Sequence, residues 1–81
     1  MISAPQTRAA RGLLNWSQRE LASRANVAPR TLALFEQGKR LPYERTVERI
    51  RSVFEEAGVA FVEDGGSTGV LLRKGPSQGS V

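Results

Sequence analysis

The segment SQRELASRANVAPRTLALFEQG, residues 17–38, carries two short apolar patterns at helical spacing with a break between them. Ser17 and Glu20 form a capping-box pair at its start, and Leu21, Ala22 and Ala25 follow on one helical face. Asn26 tolerates the left-handed conformation that a sharp turn requires, and Val27 falls in that turn as an apolar plug. Pro29 suits the first position of the next helix, where its missing N–H would go unbonded in any case. Leu32 and Phe35 turn inward, and Gly38 ends the segment. The pattern predicts two stubby helices joined tightly, with Pro29, Arg30, Thr31, Ala33, Leu34 and Gln37 on or near the outer face of the second.

The flanks extend this helical reading. Ser3, Pro5 and Gln6 mark a helix start, with Gln6 as capping-box partner of Ser3. That helix is predicted to run to about Leu14, with Ala9, Ala10, Leu13 and Leu14 on its inner side, until Asn15 and Trp16 break it. Downstream, Val47, Ile50, Phe54 and Ala57 space out one apolar stripe over a helix from roughly Tyr43 to Ala57. Gly58 is a left-handed stop, and Val59 supplies the apolar contact that often follows one. The texture then changes: residues 59–62 and 70–72 are β-prone runs around EDGGSTG, which predicts a hairpin with a long loop. The expected organisation is a helical domain over residues 1–58, a C-terminal β-hairpin over 59–74 and a flexible tail over 75–81.

Composition narrows the function. A chain of 81 residues is expected to form one small domain. It has no cysteine and no histidine, so the usual zinc ligands and the commonest general base near neutral pH are both missing. The remaining carboxylate pairs, Glu55–Glu56 and Glu63–Asp64, fall on exposed segments, and an enzyme is not expected. Asp64-Gly65-Gly66 is too short for a calcium loop or a phosphate cradle, so neither metal nor cofactor is anticipated. No apolar run reaches the length of a membrane span, and residues 1–10 lack the apolar core of a signal peptide. The expected location is the cytoplasm.

Charge is divided unevenly. Residues 1–41 carry seven basic and two acidic side chains, a net of +5; residues 42–81 carry five and six, a net of −1. Concentrated positive charge is the footprint expected of a nucleic-acid partner. The helix pair of residues 17–38 suits the same partner. A DNA major groove about 12 Å wide admits one α-helix, and a second helix braced across its start fixes the angle of entry.

The stretch WSQRELASRANVAPRTLALFEQGKRLP resembles the helix-turn-helix of the Cro/C1-type (XRE) family of bacterial and phage transcriptional regulators. The likeness rests on Arg11, the Ser-Gln-x-Glu-Leu-Ala opening, Val27 in the turn, and Glu36-x-Gly-Lys39, and it covers about residues 6–57. The tail GVAFVEDGGSTGVLLRK is similar to an appendage on many small proteobacterial members. The resemblance implies a mainly α fold, a lambda-repressor-like bundle of four to five short helices ending in a β-hairpin. It implies a sequence-specific DNA-binding transcriptional regulator, repressor or activator, that binds a palindromic operator as a homodimer.

Residue roles follow from the same resemblance. Arg30 would read bases, with guanine its natural partner, and Pro29 would contact a base beside it. Thr31 would bond a phosphate or a base, and Leu34 stands where relatives often place a polar reader, leaving it a thymine methyl to touch. Gln18, with Ser17, would contact a phosphate or an adjacent base. Gln37, Lys39 and Arg40 would hold the backbone. Arg11 and Glu36 resemble an internal ion pair tying the first helix to the reading helix. Tyr43 either stands beside DNA or packs over the fourth helix. Trp16 is core, and Arg45, Arg49 and Arg51 pair with Glu44, Glu48 and Glu55 or are solvated. Dimerisation is expected through the hairpin or the fourth helix, because Val59, Phe61, Val70 and Leu72 offer more apolar surface than a lone ribbon can bury. An alternative keeps the scaffold and changes the partner. Ala28, Ala33 and Leu34 make the reading helix apolar, which would suit an antiactivator or adaptor that binds another regulatory protein.

Overall fold

Ser3 sets the entry of the first helix. Its Oγ accepts from the Gln6 backbone N–H at 3.2 Å, and the Gln6 Oε1 accepts from the Ser3 N–H at 3.1 Å, a reciprocal cap. The computed structural model describes residues 1–73, in the order α1 (Ala4–Leu14), α2 (Gln18–Ala25), α3 (Pro29–Glu36), α4 (Glu44–Glu56), β1 (Val59–Asp64) and β2 (Ser67–Leu72). The tail expected over 75–81 lies outside the described residues.

One device closes three of the helices. Asn15, Asn26 and Gly38 all have positive φ, at 58°, 55° and 75°. In each case the next residue's N–H reaches back five positions: Trp16 to the Arg11 carbonyl, Val27 to Ala22, and Lys39 to Leu34. These are Schellman closures, which satisfy carbonyls that a helix end would otherwise leave unbonded. They keep α1, α2 and α3 short and make the joints tight. At the start of α2, Ser17 Oγ accepts from the Glu20 N–H at 3.0 Å as expected. The reciprocal half is not made, because the Glu20 carboxylate takes Arg24 at 2.9 Å instead.

Leu21, Leu32, Val47, Ile50 and Phe54 are fully buried at the centre, each contributing roughly 1.5–3 kcal/mol by removal from water. Trp16 stacks on Phe54 with ring centroids 5.7 Å apart, and Phe61 meets the same ring edge-on at 5.9 Å. Trp16 is thus core, as its position beside a helix start suggests. Val27 plugs the α2–α3 turn and Ile2 closes the base.

Four readings of the sequence need correction. Ala9 and Leu13 are exposed, not inward; the buried face of α1 is made by Gln6, Thr7 and Ala10. Polar side chains serve there because they are bonded: Thr7 Oγ1 donates to the Ser3 carbonyl at 2.9 Å, and Gln6 Nε2 donates to the Gly69 carbonyl at 3.2 Å. Arg49 does not pair with Glu44 or Glu48. It donates to the carbonyls of Ala25 and Asn26 at 3.2 and 3.3 Å, binding α4 to the negative end of α2. Arg51 does pair with Glu55, at 2.9 Å.

The hairpin has a tight turn in place of the long loop. Gly65 and Gly66 have φ of 52° and 99°, and Asp64 pairs with Ser67 across them. Positive φ at both central positions is what a two-residue hairpin turn demands and what two glycines permit. Finally, the ribbon covers its apolar side within the chain. Val59 is 2% exposed in the core, and Phe61 and Val70 pack against it. Of the four residues expected at a dimer surface, only Leu72 is exposed.

Candidate nucleic-acid interface

On α3 the buried positions are Leu32, Phe35 and Glu36. Residues along an α-helix advance about 100° each, so the line opposite this buried face runs through Arg30, Leu34 and Gln37. Arg30 and Gln37 are exposed and Leu34 is half-buried between them. Thr31 and Ala33, both half-buried, flank the line, and Pro29 is exposed at its start. Ala28 caps α3 without a side-chain hydrogen bond, so the positive end of the helix meets solvent uncapped. Lys39 and Arg40 continue the cationic surface just beyond α3, and both are exposed. Tyr43 is 85% exposed; it does not pack over α4. With Thr31 and Arg40 it borders an open groove of about 460 Å³ beside the α2–α3 turn.

Beneath this face lies a buried carboxylate. The Glu36 side chain is 1% exposed. Its Oε2 accepts from Arg11 Nε at 2.8 Å, and its Oε1 accepts from Arg11 Nη2 at 2.7 Å and from Gln18 Nε2 at 3.0 Å. The remaining Arg11 nitrogen, Nη1, donates to the Trp16 carbonyl at 3.0 Å. Three helices therefore meet at one charge: Arg11 from α1, Gln18 from α2 and Glu36 from α3. The hydrogen bond to Glu36 raises the Arg11 pKa above its ordinary value, with burial opposing and charge attraction adding to the rise.

Of the residues assigned to the DNA backbone, Ser17 is engaged as the α2 cap and Gln18 has one amide N–H committed to Glu36. The second N–H and the carbonyl oxygen of Gln18 stay available. Arg8 was not anticipated: its Nη1 donates to the Glu36 backbone carbonyl, a second tie between α1 and the end of α3. The only sequence signal is its place three residues before Arg11, on the same helical face.

A family model described as helix-turn-helix matches residues 8–57, from within α1 to the cap of α4. The chain belongs to the Cro/C1-type helix-turn-helix family. This is a family of DNA-binding regulators and not of enzymes. The hairpin lies beyond the matched residues. The search of curated proteins found no match. Within the helix-turn-helix, the Gln18–Glu36 hydrogen bond ties α2 to α3, and the Arg11–Glu36 pair ties α1 to α3. Among the described residues no acidic cluster is placed to hold a metal ion, and no helix is long and apolar enough to cross a membrane.

Proposed function

We propose that the protein is a sequence-specific transcriptional regulator that occupies operator DNA as a homodimer, with α3 in the major groove. Repression follows from occupancy, since DNA covered by the dimer is closed to other proteins. The observation that carries this reading is the outward line of α3: Arg30 and Gln37 project from a helix held by a buried ion pair, with Lys39 and Arg40 alongside. In place of the backbone contact expected of it, Gln37 shares the outward line with Arg30, and both supply donors for base edges, whereas Lys39 and Arg40 hold phosphates and set register. The deciding experiment is retention of duplex DNA across a salt series. Affinity is expected to fall linearly with log salt concentration; no retention of any duplex at low salt would end the reading.

Lys39→Gln separates positioning from reading. Binding is expected to weaken to a similar degree on every duplex, with the salt slope reduced by about one per protomer, or about two for the dimer. A loss confined to one sequence would reassign Lys39 to base contact.

A single module of this kind reaches few bases, and two-fold dimers on half-sites about 34–36 Å apart are the usual remedy. The inner side of the hairpin is used within the chain, so its outer side is the candidate dimer surface. There Val62 is 41% and Leu71 58% exposed, with Ala60 half-buried between them. The double substitution Val62→Asp and Leu71→Asp is expected to halve the mass in solution while leaving the helical spectrum intact. An unchanged mass that remains dimeric would move the interface elsewhere, α4 being next. The apolar character of Ala33 and Leu34 supports the rival reading, an adaptor for another regulatory protein. That reading requires duplex binding to be absent or indifferent to salt.

A further inference from the structure

Leu34 occupies the middle of the surface that faces the groove, one turn from Arg30 and three residues from Gln37, and it offers no hydrogen bond. Unmodified DNA presents one apolar group that projects into the major groove, the thymine 5-methyl; apart from the small C5–H of cytosine, the groups that mark the base edges there are donors and acceptors. Pressing leucine against a donor or acceptor would strip its water and return nothing, a loss that a methyl does not incur. From the reading proposed above, we infer that Leu34 recognises the methyl on pyrimidine C5, and that cytosine methylated at C5 satisfies it as well as thymine does. The two bases carry that methyl at the same ring position and differ at position 4, where one has an oxygen acceptor and the other an amino donor. A side chain without polar atoms cannot distinguish these. The flanking Ala33 leaves this part of the helix equally unable to bond the 4-substituent.

Geometry places the methyl relative to the guanine. Leu34 lies four residues beyond Arg30, or about 6 Å along the helix axis. Base pairs stack about 3.4 Å apart, so the methyl belongs one to two steps from the guanine that Arg30 reads. The protein thereby becomes responsive to DNA modification: a site with cytosine at this position is weak until it is methylated.

The test uses the full chain and a duplex enriched by it from a randomised library. Each thymine is replaced in turn by deoxyuridine, which removes only the 5-methyl, and the same position is rebuilt as cytosine or 5-methylcytosine opposite guanine. At one position per half-site, deoxyuridine is expected to weaken binding roughly four-fold, the loss of about 0.8 kcal/mol for one buried carbon. There 5-methylcytosine should bind about four-fold tighter than cytosine. Leu34→Ala should erase both differences. A wild-type protein indifferent to deoxyuridine at every thymine, yet still sequence-selective, overturns the inference and spares the functional reading. Methyl sensitivity that persists in Leu34→Ala assigns it to another residue and also overturns the inference. If no duplex is enriched, the functional reading falls and takes this inference with it.

Discussion

Replacing Glu36 with alanine is expected to cost roughly 3–5 kcal/mol of folding stability, the usual penalty for removing one partner of a buried pair. At about 0.05–0.15 kcal/mol per residue, a chain of 81 residues has roughly 4–12 kcal/mol in total, so the variant should sit near the edge of unfolding. The size of the effect comes from what is left behind. The Arg11 guanidinium, 21% exposed, would lose both bonds to carboxylate oxygens, and Gln18 would lose its acceptor. Partial access of water to Arg11 puts the loss toward the lower end of the range. A double variant, Arg11→Met with Glu36→Leu, should recover much of the deficit, since two apolar groups carry no stranded charge. The pH dependence has a definite sign. The hydrogen bond to Glu36 raises the folded pKa of Arg11 above its ordinary value, so its contribution is complete below the unfolded pKa and is lost only as pH rises through the folded one. Stability from Arg11 is therefore flat across the working range. Urea denaturation followed by circular dichroism measures these changes. A loss below about 1 kcal/mol for Glu36→Ala would mean that apolar packing and the Arg8 bond to the residue 36 carbonyl hold α1 to α3 without a net contribution from the ion pair.

The helices were readable because their signals are local. Ser3, Ser17 and Pro29 mark starts, and Asn15, Asn26 and Gly38 mark left-handed stops; each acts within five residues of itself. The stripe of Val47, Ile50 and Phe54 identified the buried side of α4 for the same reason. Errors arose where a residue's partner lies far along the chain. Gln6 bonds Gly69, and Arg49 bonds carbonyls 23 and 24 residues away; no spacing rule reports such contacts. The hairpin loop was misread for a different cause. Glu63, Asp64, Ser67 and Thr68 are polar because that end of the ribbon is exposed on both sides, and exposure on both sides looks like a loop in sequence. For the interface, Arg30, Gln37 and Leu34 were placed outward by helical period. The commitment of Gln18 to Glu36 could not be, since it depends on how closely α2 crosses α3.

Replacing Arg30 with alanine is expected to leave the fold untouched and to remove most of the sequence preference. Arg30 is exposed on α3 and makes no ion pair among the described residues, so stability should change by no more than about 0.5 kcal/mol. Its guanidinium can donate two parallel hydrogen bonds to guanine O6 and N7, a match worth about 1–3 kcal/mol against the wrong base. In a two-fold complex the same loss occurs at both half-sites, or roughly 2–6 kcal/mol, which is a factor of about 30 to 20,000 in affinity. The loss should appear on the selected duplex and shrink on duplexes whose guanine is replaced at that position. Arg30→Lys sharpens the distinction between charge and geometry. Lysine keeps the positive charge and therefore much of the salt-dependent attraction, but it lacks the planar fork, so specificity should fall further than affinity for random DNA. The readout is a pair of titrations for each variant, one on the selected duplex and one on a scrambled duplex, at two salt concentrations. Equal losses on both duplexes would demote Arg30 from reader to phosphate clamp. Base recognition would then have to come from Thr31 and Gln37, with Leu34 supplying contact to methyl groups.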